Sequence, residues 1–147
     1  MSGGAGPTPK PAPKPVDPNA KAGGGGHAGE IKTGVDLVPH ARVQGDAVVV
    51  AVRGEIDLHN SPELRGVLLE LLAKHSPKRL VLNLAQVPYM DSSAIAVLVE
   101  SLQRIRKGGG RIFLSDLQPR VKGLLEIARL DTIFIVSKDE ADALARP

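Results

Sequence analysis

The feature that most constrains the fold is an alternation of strand-like and helix-like segments from residue 39 to the C-terminus. The strand-like runs are short and rich in branched residues, and they lie at residues 47–53, 79–84, 111–115 and 133–136. Between these runs apolar residues recur at helical spacing, most clearly at Ile95, Leu98, Val99, Leu102 and Ile105. Such alternation favours a largely parallel sheet with helices packed on it. We therefore predict an α/β domain with about four or five strands, one of them near residues 35–43, and about four helices.

Ser, Pro and Gly residues indicate where the helices begin and end. Ser61 is a candidate N-cap, with Pro62 at the first helical position. The glycines at residues 108–110 predict the end of one helix, and Pro119 predicts the start of the next. Ser137 and Glu140 have the spacing of a capping box, which predicts a terminal helix.

Residues 1–38 differ in composition from the rest of the chain. They hold 6 of the 12 Pro and 9 of the 16 Gly, and few large apolar residues. Such a segment cannot bury enough apolar surface to offset the conformational entropy lost on ordering. We predict that residues 1–38 are a disordered tail and that residues 39–147 form the folded domain. The proline-rich residues 7–15 favour an extended spacer, and docking to a proline-binding module stays open as a second interpretation.

Composition excludes several classes of function. The chain has no Cys, which excludes disulfides, Cys-ligated zinc, iron–sulfur clusters and thiol catalysis. The 19 Lys and Arg residues nearly balance 16 Asp and Glu residues, and no dense basic face indicates nucleic-acid binding. The four His residues lack metal-ligand spacing, and we expect no cofactor. No apolar stretch approaches the roughly 20 residues of a membrane helix, so we expect a cytoplasmic protein without a membrane partner.

Two acidic segments are candidates for a functional site. Asp91-Ser92-Ser93 lies between a predicted strand and the helix that follows it, and Asp57 follows the strand at residues 47–53. Because open α/β sheets place functional sites at the carboxyl edge of their strands, Asp57 and Asp91 are expected to lie close together there. Carboxylates beside hydroxyls suit general-base chemistry, but the motif of a serine hydrolase is absent. Helix capping by Asp91 or Ser92, and a turn role for Asp57, stay open.

Six motifs give a more specific indication when they are taken together. They are Gly54-Glu-Ile-Asp57, Ser61-Pro-Glu-Leu-Arg65, Lys78-Arg-Leu-Val-Leu-Asn-Leu84, Val87-Pro-Tyr-Met-Asp-Ser-Ser93, Gly109-Gly-Arg-Ile-Phe-Leu114 and Leu130-Asp-Thr-Ile-Phe134. In this order and at these separations they resemble a STAS domain of the anti-sigma factor antagonist type. The resemblance extends from about residue 40 to the C-terminus and implies a mixed, largely parallel sheet; the tail has no counterpart in it.

The resemblance implies a binding switch and not an enzyme. Antagonists of this type bind an anti-sigma factor that is also a serine kinase, and so release a sigma factor. Phosphorylation by that kinase inactivates them, and a PP2C-type phosphatase restores them. The phosphorylated position of the family falls on Ser93, and the expected partner-binding residues are Asp57, Asp91, Ser92, Ser93 and Ala94. Phosphorylation adds about −1.5 to −2 charges beside these carboxylates, which can repel a partner without refolding the domain.

One residue departs from the pattern of the family, because Ala94 stands where Gly usually follows the two serines. Its methyl group could hinder the approach of a kinase or phosphatase, and alanine favours the helix by ~1 kcal/mol over glycine. Two other functions stay open at this point. One is a STAS subunit of a transporter or stress-signalling assembly that acts without phosphorylation, and the other is a structural adaptor that recruits partners through its tail.

Overall fold

The computed structural model describes residues 28–147, which form a six-stranded sheet with four α-helices. The strands are β1 (Ala28–Ile31), β2 (His40–Gln44), β3 (Ala47–Arg53), β4 (Arg79–Gln86), β5 (Arg111–Ser115) and β6 (Ile135–Ser137). The helices are α1 (Ser61–His75), α2 (Ser92–Lys107), α3 (Pro119–Ile127) and α4 (Glu140–Ala145), with a 3₁₀ turn at Leu130–Thr132.

The strands lie in the sheet in the order of the sequence. The β1–β2 and β2–β3 pairs are antiparallel, whereas the pairs from β3 to β6 are parallel. Helices α1, α2 and α3 make the three connections between successive parallel strands, as parallel pairing requires. The carboxyl ends of β3 to β6 therefore share one edge of the sheet, and the prediction of a mixed, largely parallel α/β fold is confirmed.

Helices cover the two faces of the sheet unequally. The main core lies between one face and helices α1, α2 and α3, and on β4 it includes Leu80, Leu82 and Leu84. Val81 of β4 points to the opposite face and packs in a smaller cluster with Ala143 of α4. Because the middle of β4 is buried on both sides, Leu80, Val81 and Leu82 are consecutive apolar residues and do not alternate with polar ones.

The predicted start of the domain at residue 39 is wrong. Residues 28–31 form β1, which pairs with β2, and Leu37 and Val38 are buried in the main core. The expected extra strand near residues 35–43 is β2. The sequence did not predict β1. Ile31 and Val35 pack against the same core, but the glycines around them give this segment the composition of a tail. Residues 1–27, including the proline-rich residues 7–15, lie outside the described residues.

Two predicted helix caps are also displaced. The N-cap of α1 is Asn60 and not Ser61, which is the buried first residue of the helix. The N-cap of α4 is Asp139, whose carboxylate accepts a hydrogen bond of 2.8 Å from the backbone N–H of Asp142. Ser137 instead extends β6, where it pairs with Ser115 of β5. The N-cap of α1 is set by the turn before the helix, and the N-cap of α4 is set by the pairing of β6 with β5.

Candidate functional site

Two loops meet at the carboxyl edge of the sheet. The loop after β3 and the loop after β4 are joined by a parallel bridge between Ile56 and Met90. The backbone N–H of Ile56 donates to the Tyr89 carbonyl at 3.1 Å, and the N–H of Asp91 donates to the Ile56 carbonyl at 3.0 Å. Asp57 and Asp91 directly follow the bridged residues. The structure thus places the two acidic residues side by side, as the sequence predicted.

Asp91 is the N-cap of α2 and also holds the Ser93 side chain. One carboxylate oxygen, Oδ1, accepts from the backbone N–H groups of Ser93 at 2.9 Å and Ala94 at 3.3 Å. The same oxygen accepts a hydrogen bond of 2.5 Å from the Ser93 hydroxyl. These bonds satisfy the free N–H groups of the first helical turn and fix the hydroxyl at the helix start. The Asp91 carboxylate therefore both caps α2 and orients the Ser93 hydroxyl.

The charge state of Asp91 depends on these bonds. The Ser93 hydroxyl is the largest influence that holds the pKa of Asp91 below its ordinary value. The backbone N–H groups of Ala94, Ser93 and Leu58 lower this pKa further, whereas partial burial of the carboxyl opposes them. A negative charge on Asp91 is thus maintained next to the serine hydroxyl.

The three residues after Asp91 differ in exposure. Ser92 is exposed and Ser93 is half-buried, so both side chains reach the surface. Ala94 is fully buried and belongs to the main core. The expectation that Ala94 contacts a partner is therefore wrong, and its methyl group does not obstruct the surface around Ser93. The helical period turns residue 94 inward because residues 94, 97 and 98 share the inner face of α2.

Asp57 begins a tight turn that leads into α1. Its carboxylate Oδ1 accepts from the backbone N–H of His59 at 2.9 Å, and the Asn60 side-chain carbonyl accepts from the N–H of Asp57 at 2.8 Å. The Asn60 side-chain NH₂ donates to the Glu55 carbonyl at 2.9 Å. Asp57 is 49% exposed in spite of these bonds, so it is a surface residue with a fixed backbone. The spacing of Asp57 and Asn60 in the sequence could have predicted this turn.

Sequence reasoning missed the residue at the tip of that turn. Leu58 is 73% exposed and lies in the chain between Asp57 and Asn60, which are hydrogen-bonded to each other. Beside the turn, an open groove of about 410 Å³ includes Asp36, Glu55 and Glu63 in its lining. An exposed apolar side chain next to an acidic groove is suited to binding another protein.

The described residues offer no sign of other site chemistry. Within residues 28–147, no group of three or more His, Asp or Glu side chains is arranged to hold a metal ion. None of the helices in that part of the chain combines the length and apolar character needed to cross a membrane. His59, the histidine of this edge, is a surface loop residue, as expected, with its side chain 96% exposed.

Comparison with known proteins gives consistent similarities. A model of the STAS domain family matches residues 38–143. The chain is 30% identical to an anti-sigma F factor antagonist of Paenibacillus polymyxa, over 66% of this chain and 83% of the relative. It is 35% identical to an anti-sigma-B factor antagonist of Bacillus subtilis, over 63% and 84% of the two chains. The structure of an anti-sigma factor antagonist from Mycobacterium paratuberculosis superposes with a TM-score of 0.65, at 23% identity, over 80% and 92% of the two chains.

Proposed function

Because the chain belongs to the STAS domain family, we propose that it is an anti-sigma factor antagonist, a regulatory binding protein switched by phosphorylation of Ser93. The observation that carries this proposal is the half-buried Ser93 hydroxyl, which Asp91 holds at the start of α2 beside Asp57. The relatives that match most of the domain are antagonists of anti-sigma factors, which supports a regulatory role in place of catalysis. Regulation of a sigma factor would place the protein in the cytoplasm.

In the unmodified state the surface suits a partner that packs over Ser93. The hydroxyl is neutral, and its proton is already donated to Asp91, so it brings no unpaired charge into an interface. Asp57 and the exposed Ser92 lie on the same edge and extend the contact area. The proposed partner-binding residues are therefore Asp57, Asp91, Ser92 and Ser93.

Phosphorylation would change this surface without requiring a new fold. The phosphate replaces the hydroxyl proton that Asp91 accepts, and it adds about −1.5 to −2 charges. The N-terminus of α2 favours negative charge, but its first free N–H groups already donate to Asp91. The phosphate thus stays exposed to whatever lies across the interface.

The proposed partner is an anti-sigma factor with serine kinase activity. A kinase holds nucleotide phosphates next to its target hydroxyl, so the product phosphate faces charges of the same sign. Two unit charges ~5 Å apart repel by roughly 1–3 kcal/mol at an effective dielectric constant between ~80 and ~20. Binding would weaken by about fivefold to more than a hundredfold for each such pair. A PP2C-type phosphatase would restore the neutral hydroxyl.

The test uses the full chain with each serine-kinase anti-sigma factor encoded in its genome. Incubation with ATP, followed by intact-mass measurement and peptide mapping, is expected to find one phosphate, on Ser93. Ser93→Ala should still bind the kinase but accept no phosphate, and Ser93→Glu should bind at least about tenfold more weakly. Ser92→Ala is the matched control, since Ser92 is exposed one residue away.

Two outcomes would refute the proposal. One is full affinity of Ser93→Glu for a kinase that binds the wild type. The other is the absence of both binding and phosphate transfer with every candidate, combined with copurification with a membrane ATPase, which would favour a transporter-bound STAS subunit.

A further inference from the structure

Leu58 is a large apolar side chain that is exposed and does not belong to the core. Among the described residues, two large apolar side chains are clearly exposed, Leu58 at 73% and Ile127 at 84%. Ile127 lies at the end of α3, whereas Leu58 directly follows Asp57 at the edge that carries Ser93. Exposure of a single leucine is ordinary, so its meaning depends on how it is held and on what surrounds it.

The backbone around Leu58 is fixed before any partner arrives. The residues on both sides of Leu58 are tied by hydrogen bonds between Asp57 and Asn60, and Asn60 also donates to the Glu55 carbonyl. The backbone N–H of Leu58 contributes to lowering the pKa of Asp91. Little conformational freedom of the turn remains to be lost on binding. Leu58 is thus presented by a hydrogen-bonded turn, and the loop of this turn is bridged at Ile56 and Met90 to the loop that leads to Ser93.

The acidic residues of the Leu58 turn and of the adjacent groove define the chemistry of the surface that can cover Leu58. Asp57 is half-exposed, Glu55 and Glu63 are exposed, and both glutamates line the groove next to the turn. Arg53 is the one basic residue in that lining, and its Nε donates to the Asp36 carbonyl at 2.9 Å. An exposed apolar side chain that directly follows Asp57, in a turn whose Asn60 lines an acidic groove, is complementary to an apolar socket flanked by basic residues.

We infer that Leu58 is the apolar anchor of the partner interface and inserts into an apolar socket, rimmed by Lys or Arg, on the anti-sigma factor. This inference rests on the proposed function and adds a residue and a partner chemistry to it. Energetically dominant contacts in protein interfaces are few, central and surrounded by polar groups that exclude water. Leu58 is a candidate for such a contact because it is exposed, follows Asp57 and lies in the loop that is bridged to the loop of Asp91.

The test is a binding titration of the full chain, unphosphorylated, against the serine-kinase anti-sigma factor that binds the wild type. Truncating a fully buried leucine to alanine removes most of its apolar area, so Leu58→Ala should raise the Kd by roughly tenfold or more. Leu58→Met retains the apolar volume and should keep the Kd within about threefold. Ile127→Ala is the matched control and should leave the Kd unchanged, because Ile127 is equally exposed but lies outside this edge.

Thermal unfolding separates a lost contact from a damaged fold. Since Leu58 is exposed, Leu58→Ala should change Tm by no more than about 2 °C. A wild-type chain that binds, with Leu58→Ala binding equally well, would overturn the role of Leu58 and leave the proposed function intact. An equal loss in Ile127→Ala would also overturn it. Failure of the wild type to bind any serine-kinase anti-sigma factor would refute the proposed function and this inference together.

Discussion

Replacement of Ala94 by glycine tests whether the alanine acts on the surface or inside the fold. The resemblance to the antagonist family implies glycine at this position, so Ala94→Gly restores the implied pattern. The Ala94 side chain is fully buried, and its N–H donates to the Asp91 carboxylate at 3.3 Å. The substitution therefore removes a core methyl group and increases backbone freedom in the first turn of α2, without uncovering new surface at Ser93.

The expected loss of stability follows from these two changes. Glycine is less favourable than alanine in a helix by up to about 1 kcal/mol. Removal of one buried methyl group contributes ~0.8 kcal/mol more. The sum is roughly 1.5–2 kcal/mol, and for a domain of this size it corresponds to a decrease in Tm of roughly 6–8 °C. Ala96→Gly, at an exposed position of the same helix, lacks the buried methyl group and should lose only the helix component, about 4 °C.

Two assays check this reasoning. Thermal unfolding by circular dichroism should order the melting temperatures as wild type, then Ala96→Gly, then Ala94→Gly. The initial rate of phosphate transfer from the cognate kinase should stay within about threefold of the wild type in both variants. A large acceleration in Ala94→Gly, with no change in Tm, would show that the methyl group obstructs the kinase and that its inward placement is wrong.

Two further predictions concern the carboxylates of the site. Asp57→Ala removes a charge and the two hydrogen bonds that the Asp57 carboxylate accepts in the turn, whereas Asp57→Asn keeps an acceptor at Oδ1. By isothermal titration both variants should bind the anti-sigma factor about fivefold more weakly, or worse, and an Asn variant with wild-type affinity would refute a role for the charge. Since the Ser93 hydroxyl is the largest cause of the lowered pKa of Asp91, Ser93→Ala should raise that pKa towards the ordinary 3.8, as followed by NMR titration of the carboxyl group. With a depressed pKa, the Asp91 carboxylate stabilises the fold above pH 3.8, and this contribution is lost as the pH falls through its folded-state value. An Asp91 pKa that is the same in wild type and Ser93→Ala would contradict the hydrogen bond.

Much of the site could be predicted because its pieces are local. The apolar runs of β3 and β4 predicted strands, the glycines at residues 108–110 predicted the end of α2, and the carboxyl edge followed from parallel topology. That edge then brings Asp57 and Asp91 together, since each directly follows a residue of the bridge between the two loops. Strand identity depends on short-range periodicity, which the sequence displays directly.

Other features of the fold depend on contacts between segments that are distant in the sequence. Local sequence patterns therefore do not predict them. β1 exists because it pairs with β2 and its neighbouring residues pack on α1 and the sheet, although its composition is that of a linker. The inward direction of the Ala94 methyl group depends on the exact start of α2, which Asp91 sets by capping. A shift of one residue in a helix start rotates each side chain by about 100°.

The sequence alone determined the alternation of strands and helices and the presence of an acidic, serine-containing loop at the carboxyl edge. The tertiary structure decided which side chains of that edge face outward. Leu58 and Asp57 are presented by a hydrogen-bonded turn, Ser93 is tied to Asp91, and Ala94 lies in the core. The physical reason is that exposure depends on the packing of all surrounding elements, whereas propensity and periodicity depend on a few consecutive residues.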